Sequence, residues 1–163
     1  MKNINENENE EMNAHQLTEM YNEVITKHEE AKAAYKKAKT EEERLSVIND
    51  YPTYKPGHMP MTPARQAFEA FKRQYEVFSD LSDFRLMTEC ERIILLSPDA
   101  AEYCFHIARL RQAPWAEAEQ RIAESPMWAY MYSRMVLKEA FTAGEDAIHS
   151  NEKYSERYTR FLS

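Results

Sequence analysis

The chain has 163 residues, 43% of them hydrophobic and 30% charged, with a formal net charge of −7 at pH 7. That is the size and make-up of one globular domain; the acidic balance argues against a broad phosphate-binding surface, and the longest apolar run, Ile93-Ile94-Leu95-Leu96, is far too short to span a membrane. Only two glycines occur, which disfavours phosphate-cradling loops and tight hairpins, and the abundance of Ala, Glu, Lys, Arg, Leu and Met predicts an all-α fold.

Residues 1–12, MKNINENENEEM, set one lysine against four glutamates. They offer too little apolar surface to offset the entropy of ordering, so a disordered tail is expected ahead of a single domain spanning 13–163. The tail lacks the basic and apolar regions of a secretory leader. Cys90 and Cys104 fall within helical patterns and read as buried, reduced thiols. A reducing cytoplasm fits all of this.

A long helix is predicted from Ala14 to Lys39. Its Leu17, Met20, Tyr21, Val24, Ile25, His28, Ala31, Tyr35 and Ala38 recur at three- and four-residue steps and share one face. Thr40 and Glu43 form a capping-box pattern, opening a short helix that would bury Leu45 and Ile48. Residues 51–63, YPTYKPGHMPMTP, hold four of the seven prolines and cannot be helical. The bulk of Tyr51, Tyr54, His58, Met59 and Met61 favours an ordered strap laid over the helices; a loop offering aromatic contacts to a partner is the alternative, with Tyr54 and His58 as its candidate contacts. Thr62-Pro63 then starts a helix with an apolar stripe of Ala64, Ala67, Phe68, Phe71, Tyr75 and Phe78. Residues 13–80 thus form a long helix and a helical hairpin.

From Ser82 onward the chain repeats itself. Glu89-Cys90-Glu91-Arg92-Ile93-Ile94-Leu95-Leu96-Ser97-Pro98 aligns with Glu117-Ala118-Glu119-Gln120-Arg121-Ile122-Ala123-Glu124-Ser125-Pro126 and, less fully, with Gly144-Glu145-Asp146-Ala147-Ile148-His149-Ser150-Asn151. An aromatic-rich helix follows each copy, and the spacing is that of stacked helical hairpins. Ser82 is expected to cap a helix through Leu95, Ser97-Pro98 one to Arg111, and Pro114 to start one to Ala123. Ser125-Pro126 would cap a helix to Glu139, Thr142 would start a short one to His149, and Asn151 would cap the last. Short connections make neighbours antiparallel. The predicted architecture is a long N-terminal helix and a hairpin followed by a short array of antiparallel helical-hairpin repeats over 82–163, with Ile94, Ile122 and Ile148 in equivalent buried sites.

No catalytic or nucleotide-binding motif occurs, and no histidine lies four residues from another, so neither a metal nor a cofactor is expected. Cys104 and His106 are two residues apart on a helix and point in nearly opposite directions, which rules them out as a nucleophile–base pair. His106 is matched to Tyr132 and Tyr158 by the repeat. Glu91, Glu119 and Glu145 recur and are expected to pair with Arg109 and Arg134 rather than to do acid–base chemistry. Most aromatics of 97–163 read as core. A groove between stacked hairpins would still present Tyr, Trp and Arg, the residues that dominate interface energetics. Its candidate contacts are His106, Arg109, Trp128, Tyr132 and Arg134. Nucleobase stacking beside Arg109, Arg111, Arg134 and Arg160 is a further reading, disfavoured by the acidic balance.

Ala129-Tyr130-Met131-Tyr132-Ser133-Arg134-Met135-Val136-Leu137-Lys138, followed by Phe141-Thr142-Ala143-Gly144-Glu145-Asp146-Ala147-Ile148, resembles a helical repeat of approximate form AYxYAxxVLKGRWxEGExxI, common in uncharacterised proteins of tailed bacteriophages. The resemblance covers residues 84–163; the copy from His106 to Ile122 matches less fully. It implies a phage origin and a binding or assembly role, and no activity, cofactor or site residue. The expectation is a non-enzymatic protein of the bacterial host cytoplasm that binds a host or phage protein. The alternative is a self-assembling accessory protein: Tyr154, Tyr158, Phe161 and Leu162 share a face, and an uncovered Phe161 or Leu162 would seed a homodimer.

Overall fold

The structure is a computed structural model that describes residues 12–76 and 84–163. It is all-α: a long N-terminal helix is followed by eight shorter ones, and no strand occurs among the described residues. The expected disorder of 1–11, the stripe position Phe78 and the cap Ser82 lie outside the described residues.

Helix α1, Ala14–Lys37, begins with a reciprocal cap in which Asn13 and Gln16 each satisfy the other's backbone amide. Met12, assigned to the tail by composition, belongs to the folded body, because its carbonyl accepts from Arg92 Nη1 at 2.7 Å. Helix α2, Glu41–Asp50, carries the capping box of Thr40 and Glu43. It buries no residue; Leu45, expected on its inner side, is 52% exposed, and Ile48 is only part-buried. Its main packing partner is α1, and one helix face has too little surface to cover it.

The strap is held by backbone carbonyls. Arg65 Nη1 donates to Met59 O and Pro60 O at 2.8 and 3.3 Å, and Gln66 Nε2 to Met61 O at 3.0 Å. Tyr54 is buried against His28 and Tyr35 of α1. Thr62 Oγ1 accepts from Arg65 N and so caps α3, Pro63–Glu76, while donating to Asp99 Oδ2 at 2.6 Å.

The main core begins at α3. Ala64, Ala67 and Phe71 pack on Met87, Cys90 and Ile94 of α4, Phe84–Leu96, in the most extensive helix pair of the molecule. Ser97 was expected to cap the next helix; instead its buried hydroxyl donates to Ile93 O and closes α4. Asp99 stands at the cap position of α5, Ala100–Arg111. A 3-10 turn at Ala116–Ala118 leads into α6, Glu119–Ala123. Helix α7, Pro126–Tyr132, continues as a π turn over Ser133–Leu137. A second 3-10 turn, Thr142–Gly144, leads into α8, Glu145–His149, and Asn151 caps α9, Glu152–Leu162. Ile94, Ile122 and Ile148 are all fully buried.

With so few glycines, α5 and the π turn end on Gln112 and Lys138, at φ of 53° and 60°. Gly144 is a glycine for want of space. A Cβ there would stand 2.5 Å from the Phe141 ring and 2.9 Å from Ala129 Cβ.

Candidate partner-binding surfaces

One hydrogen-bonded arrangement occurs twice, 26 residues apart. Tyr132 Oη accepts from Trp115 N at 3.0 Å and donates to Glu119 Oε1 at 2.9 Å. Tyr158 Oη accepts from Phe141 N at 2.8 Å and donates to Glu145 Oε1 at 3.0 Å. Each tyrosine thus ties the start of a 3-10 turn to the first residue of the short helix after it. Both rings are buried, and burial pushes both phenols above their ordinary range. Tyr132 was a candidate partner contact; with no exposed surface it is a structural clamp. Glu119 and Glu145 were expected to pair with arginines and instead accept these hydroxyls. Glu91 does take an arginine, but it is Arg111 rather than Arg109. The spacing was legible: Tyr follows Glu by thirteen residues in both copies, whereas thirteen residues after Glu91 stands Cys104.

His106 does not occupy the tyrosine position. From Ser97 to Gln112 the chain has two more residues than from Ser125 to Lys138, and two residues turn a helix by about 200°. The residue in register is Cys104, fully buried, whose thiol burial pushes up to about 12. His106 faces a ring cluster instead, 5.3 Å from Trp128, 5.7 Å from Phe68 and 5.2 Å from Phe105. Two candidates, His106 and Trp128, are therefore brought together, both part-buried. Arg109 is exposed one turn further on, and Arg134 donates to Tyr130 Oη at 3.2 Å.

Two clefts flank the strap, each about 350 Å³. The first lies between α1, the strap, α3 and α5. Tyr21, Ile25, Met59 and Phe68 form its apolar side, and Glu69, Asp99 and Glu102 its acidic side, beside Arg65 and His106. Burial, then the neighbouring Asp99, holds the Glu102 carboxyl above its ordinary value; burial, then Arg109, holds the His106 imidazole below its own. Tyr103, also on this wall, is pushed up to about 12 by burial and by Glu102. Asp99 Oδ1 is buried and accepts no hydrogen bond among the described residues. This wall suits a cationic donor. The second cleft is lined by Met20, Val24, His28, Tyr54 and Met61, with Glu23 and Lys27 at its rim. Pro60 lines both clefts, Met59 the first and Met61 the second, so the strap is a ridge with a methionine on each flank. Tyr54, buried against α1, lines the second cleft, and His58 is exposed on the turn before the ridge.

A third cleft, about 370 Å³, is lined by Tyr130, Arg134, Arg157, Arg160 and Phe161. The sequence reading missed Arg157, although its three-residue step from Arg160 and the 26-residue step from Arg134 to Arg160 were both visible. Among the described residues no three His, Cys, Asp or Glu side chains converge as a metal site, and no helix is long and apolar enough to cross a membrane. Comparison with models of known protein families, with curated proteins and with solved structures found no match for this chain.

Proposed function

We propose that this is a non-enzymatic interaction protein whose strap receives an amphipathic helix of a protein partner. The observation that carries the reading is the strap ridge: Met59 is 74% exposed and Met61 48%, each over its own cleft. Unbranched, polarizable methionines adapt to an incoming apolar face, and such surfaces serve helix-in-groove recognition. The partner would set an apolar residue into the cleft of Met20, Val24 and Met61. A lysine or arginine one turn away would meet Asp99 and Glu102. The resemblance of 84–163 to tailed-phage repeats supports a phage protein acting on a host or phage target in a bacterial cytoplasm. The test is retention of a stoichiometric partner by the tagged full chain and by Met59→Glu and Met61→Glu, with thermal midpoints measured alongside. Loss of the partner at an unchanged midpoint is expected. A partner held equally by both variants, or nucleic acid in its place, overturns the reading.

A second reading is self-association through the last helix, favoured by Leu162, which is 46% exposed beside part-buried Phe161. A dimer by light scattering that Leu162→Glu dissociates is its signature; a monomer at high micromolar concentration removes it.

A further inference from the structure

The cleft between the π turn and α9 gathers positive charge on an acidic protein. Arg134, Arg157 and Arg160 line it, all three exposed, and no carboxylate is among its lining residues. Four arginines elsewhere do find acids: Arg44 pairs with Glu41, Arg92 with Glu89, Arg111 with Glu91 and Arg121 with Glu124. Here none of the three makes an ion pair among the described residues.

The floor is Tyr130, only 4% exposed. Its oxygen accepts from Arg134 Nη1 at 3.2 Å, and its own proton has no acceptor among the described residues. A phenol can both accept and donate, so the Tyr130 hydroxyl, lining a cationic cleft and already accepting from Arg134, can donate to a ligand that brings an acceptor. Arg134 is carried by the π turn, a local widening that costs helix geometry and is often found at functional sites.

Three guanidinia and a phenol donor exceed what a single carboxylate can use. They match the charge and the several acceptor oxygens of a phosphoryl group, which guanidinium forks bind bidentately. The part-buried Phe161 ring adds a flat apolar wall beside the charges. Such a ring takes a nucleobase by stacking. The cleft volume lies at the low end of the range for small-ligand sites. A nucleic-acid polymer would need a basic track along the surface, and a net charge of −7 with one confined cluster does not supply it.

We propose that the cleft of Tyr130, Arg134, Arg157, Arg160 and Phe161 is a binding site for a mononucleotide. Its phosphate is held by the arginines and the Tyr130 hydroxyl, and its base lies on Phe161. The site is independent of the strap and stands or falls separately from it.

The test is calorimetric titration of the full chain with adenosine and guanosine mono- and triphosphates, the unphosphorylated nucleosides, inorganic phosphate, a 5′-phosphorylated single-stranded oligonucleotide and a phosphotyrosine peptide. A mononucleotide should bind, its nucleoside should not, and inorganic phosphate should bind more weakly. Tyr130→Phe and Arg160→Ala should each weaken binding by about tenfold or more, the usual consequence of losing a hydrogen bond to a charged group. Tyr130→Phe removes only the hydroxyl and should leave the thermal midpoint in place. The proposal is overturned if no mononucleotide saturates the protein at millimolar concentration, or if both variants bind like the parent. It is equally overturned if the oligonucleotide or the phosphopeptide binds and the mononucleotides do not.

Discussion

Ile122 has no exposed surface and belongs to the main core cluster. Ile122→Ala should cost about 2–5 kcal/mol as an unfilled cavity, read from denaturant unfolding. A loss within about 0.5 kcal/mol would mean that the site collapses freely. The tyrosine clamps concern polarity rather than volume. Tyr132→Phe keeps the ring and leaves Trp115 N–H without its acceptor. It should cost about 1–3 kcal/mol, as should Tyr158→Phe, which strands Phe141 N–H. His106 offers a pH signature. Its folded pKa is depressed, so as pH falls below the unfolded value of about 6.5 the unfolded chain binds the proton first and stability declines. Glu102, 3.9 Å away, has a raised pKa and works in the opposite direction. The measurable quantity is therefore the difference between parent and His106→Phe: the variant should lose less thermal midpoint between pH 7 and pH 5. Parallel curves would show that the imidazole does not titrate differently on folding. The Ile sites were visible from the repeat, whereas the partners of Glu119 and Glu145 were not. A carboxylate in sequence states a charge, and whether it meets a guanidinium or a phenol depends on which helix folds over it.

Among elements, the helix ends are the informative case. Gln112 and Lys138 close helical segments in the left-handed region, where an L side chain costs about 1–2 kcal/mol, and the Gly that normally stands there is absent. Gln112→Gly and Lys138→Gly should each stabilise the protein by about 0.5–1 kcal/mol, net of the extra freedom glycine has when unfolded. Thermal scans would detect this, and a decrease would mean that the parent side chain makes a compensating contact. Caps at Thr40, Thr62 and Asn151 followed from residue type, because the side chain itself supplies the acceptor. Ser97 did not follow the same logic. A serine at a junction has two helices to serve, and the carbonyl of Ile93 took its hydroxyl. The π turn left no mark in the sequence. It is closed by Lys138 N donating to Ser133 O and by the hydroxyl of buried Ser133 donating to Glu139 O.

At the scale of the whole molecule, the main core runs from α3 to α9, and α1, α2 and the strap form a lighter layer over it. At its start, α1 is capped by Asn13, and the layer is tied to the core by the bond from Arg92 to Met12. Deleting residues 1–11 should leave the thermal midpoint unchanged. Deleting 1–13 should lower stability by about 1 kcal/mol or more, through the lost cap of α1 and the lost bond from Arg92 to Met12 O. Equal midpoints for the two truncations would show that α1 does not depend on its first turn.

The all-α class, the caps at Thr40, Thr62 and Asn151 and the buried isoleucines were determined by the sequence alone, because propensity, periodicity and cap chemistry act within a few residues. What the tertiary structure decided is everything that needs two distant segments at once. It turned His106 away from the tyrosine register and toward Phe68 and Trp128, through a two-residue difference in helix length. It buried Tyr54 and Tyr132, which residue type alone had made interface candidates. It left Met59 and Met61 uncovered on a ridge, and it brought Arg134 across to Arg157 and Arg160. Local chemistry sets which residues prefer a helix. Which of their faces remain for a partner is set only when the last helix has packed.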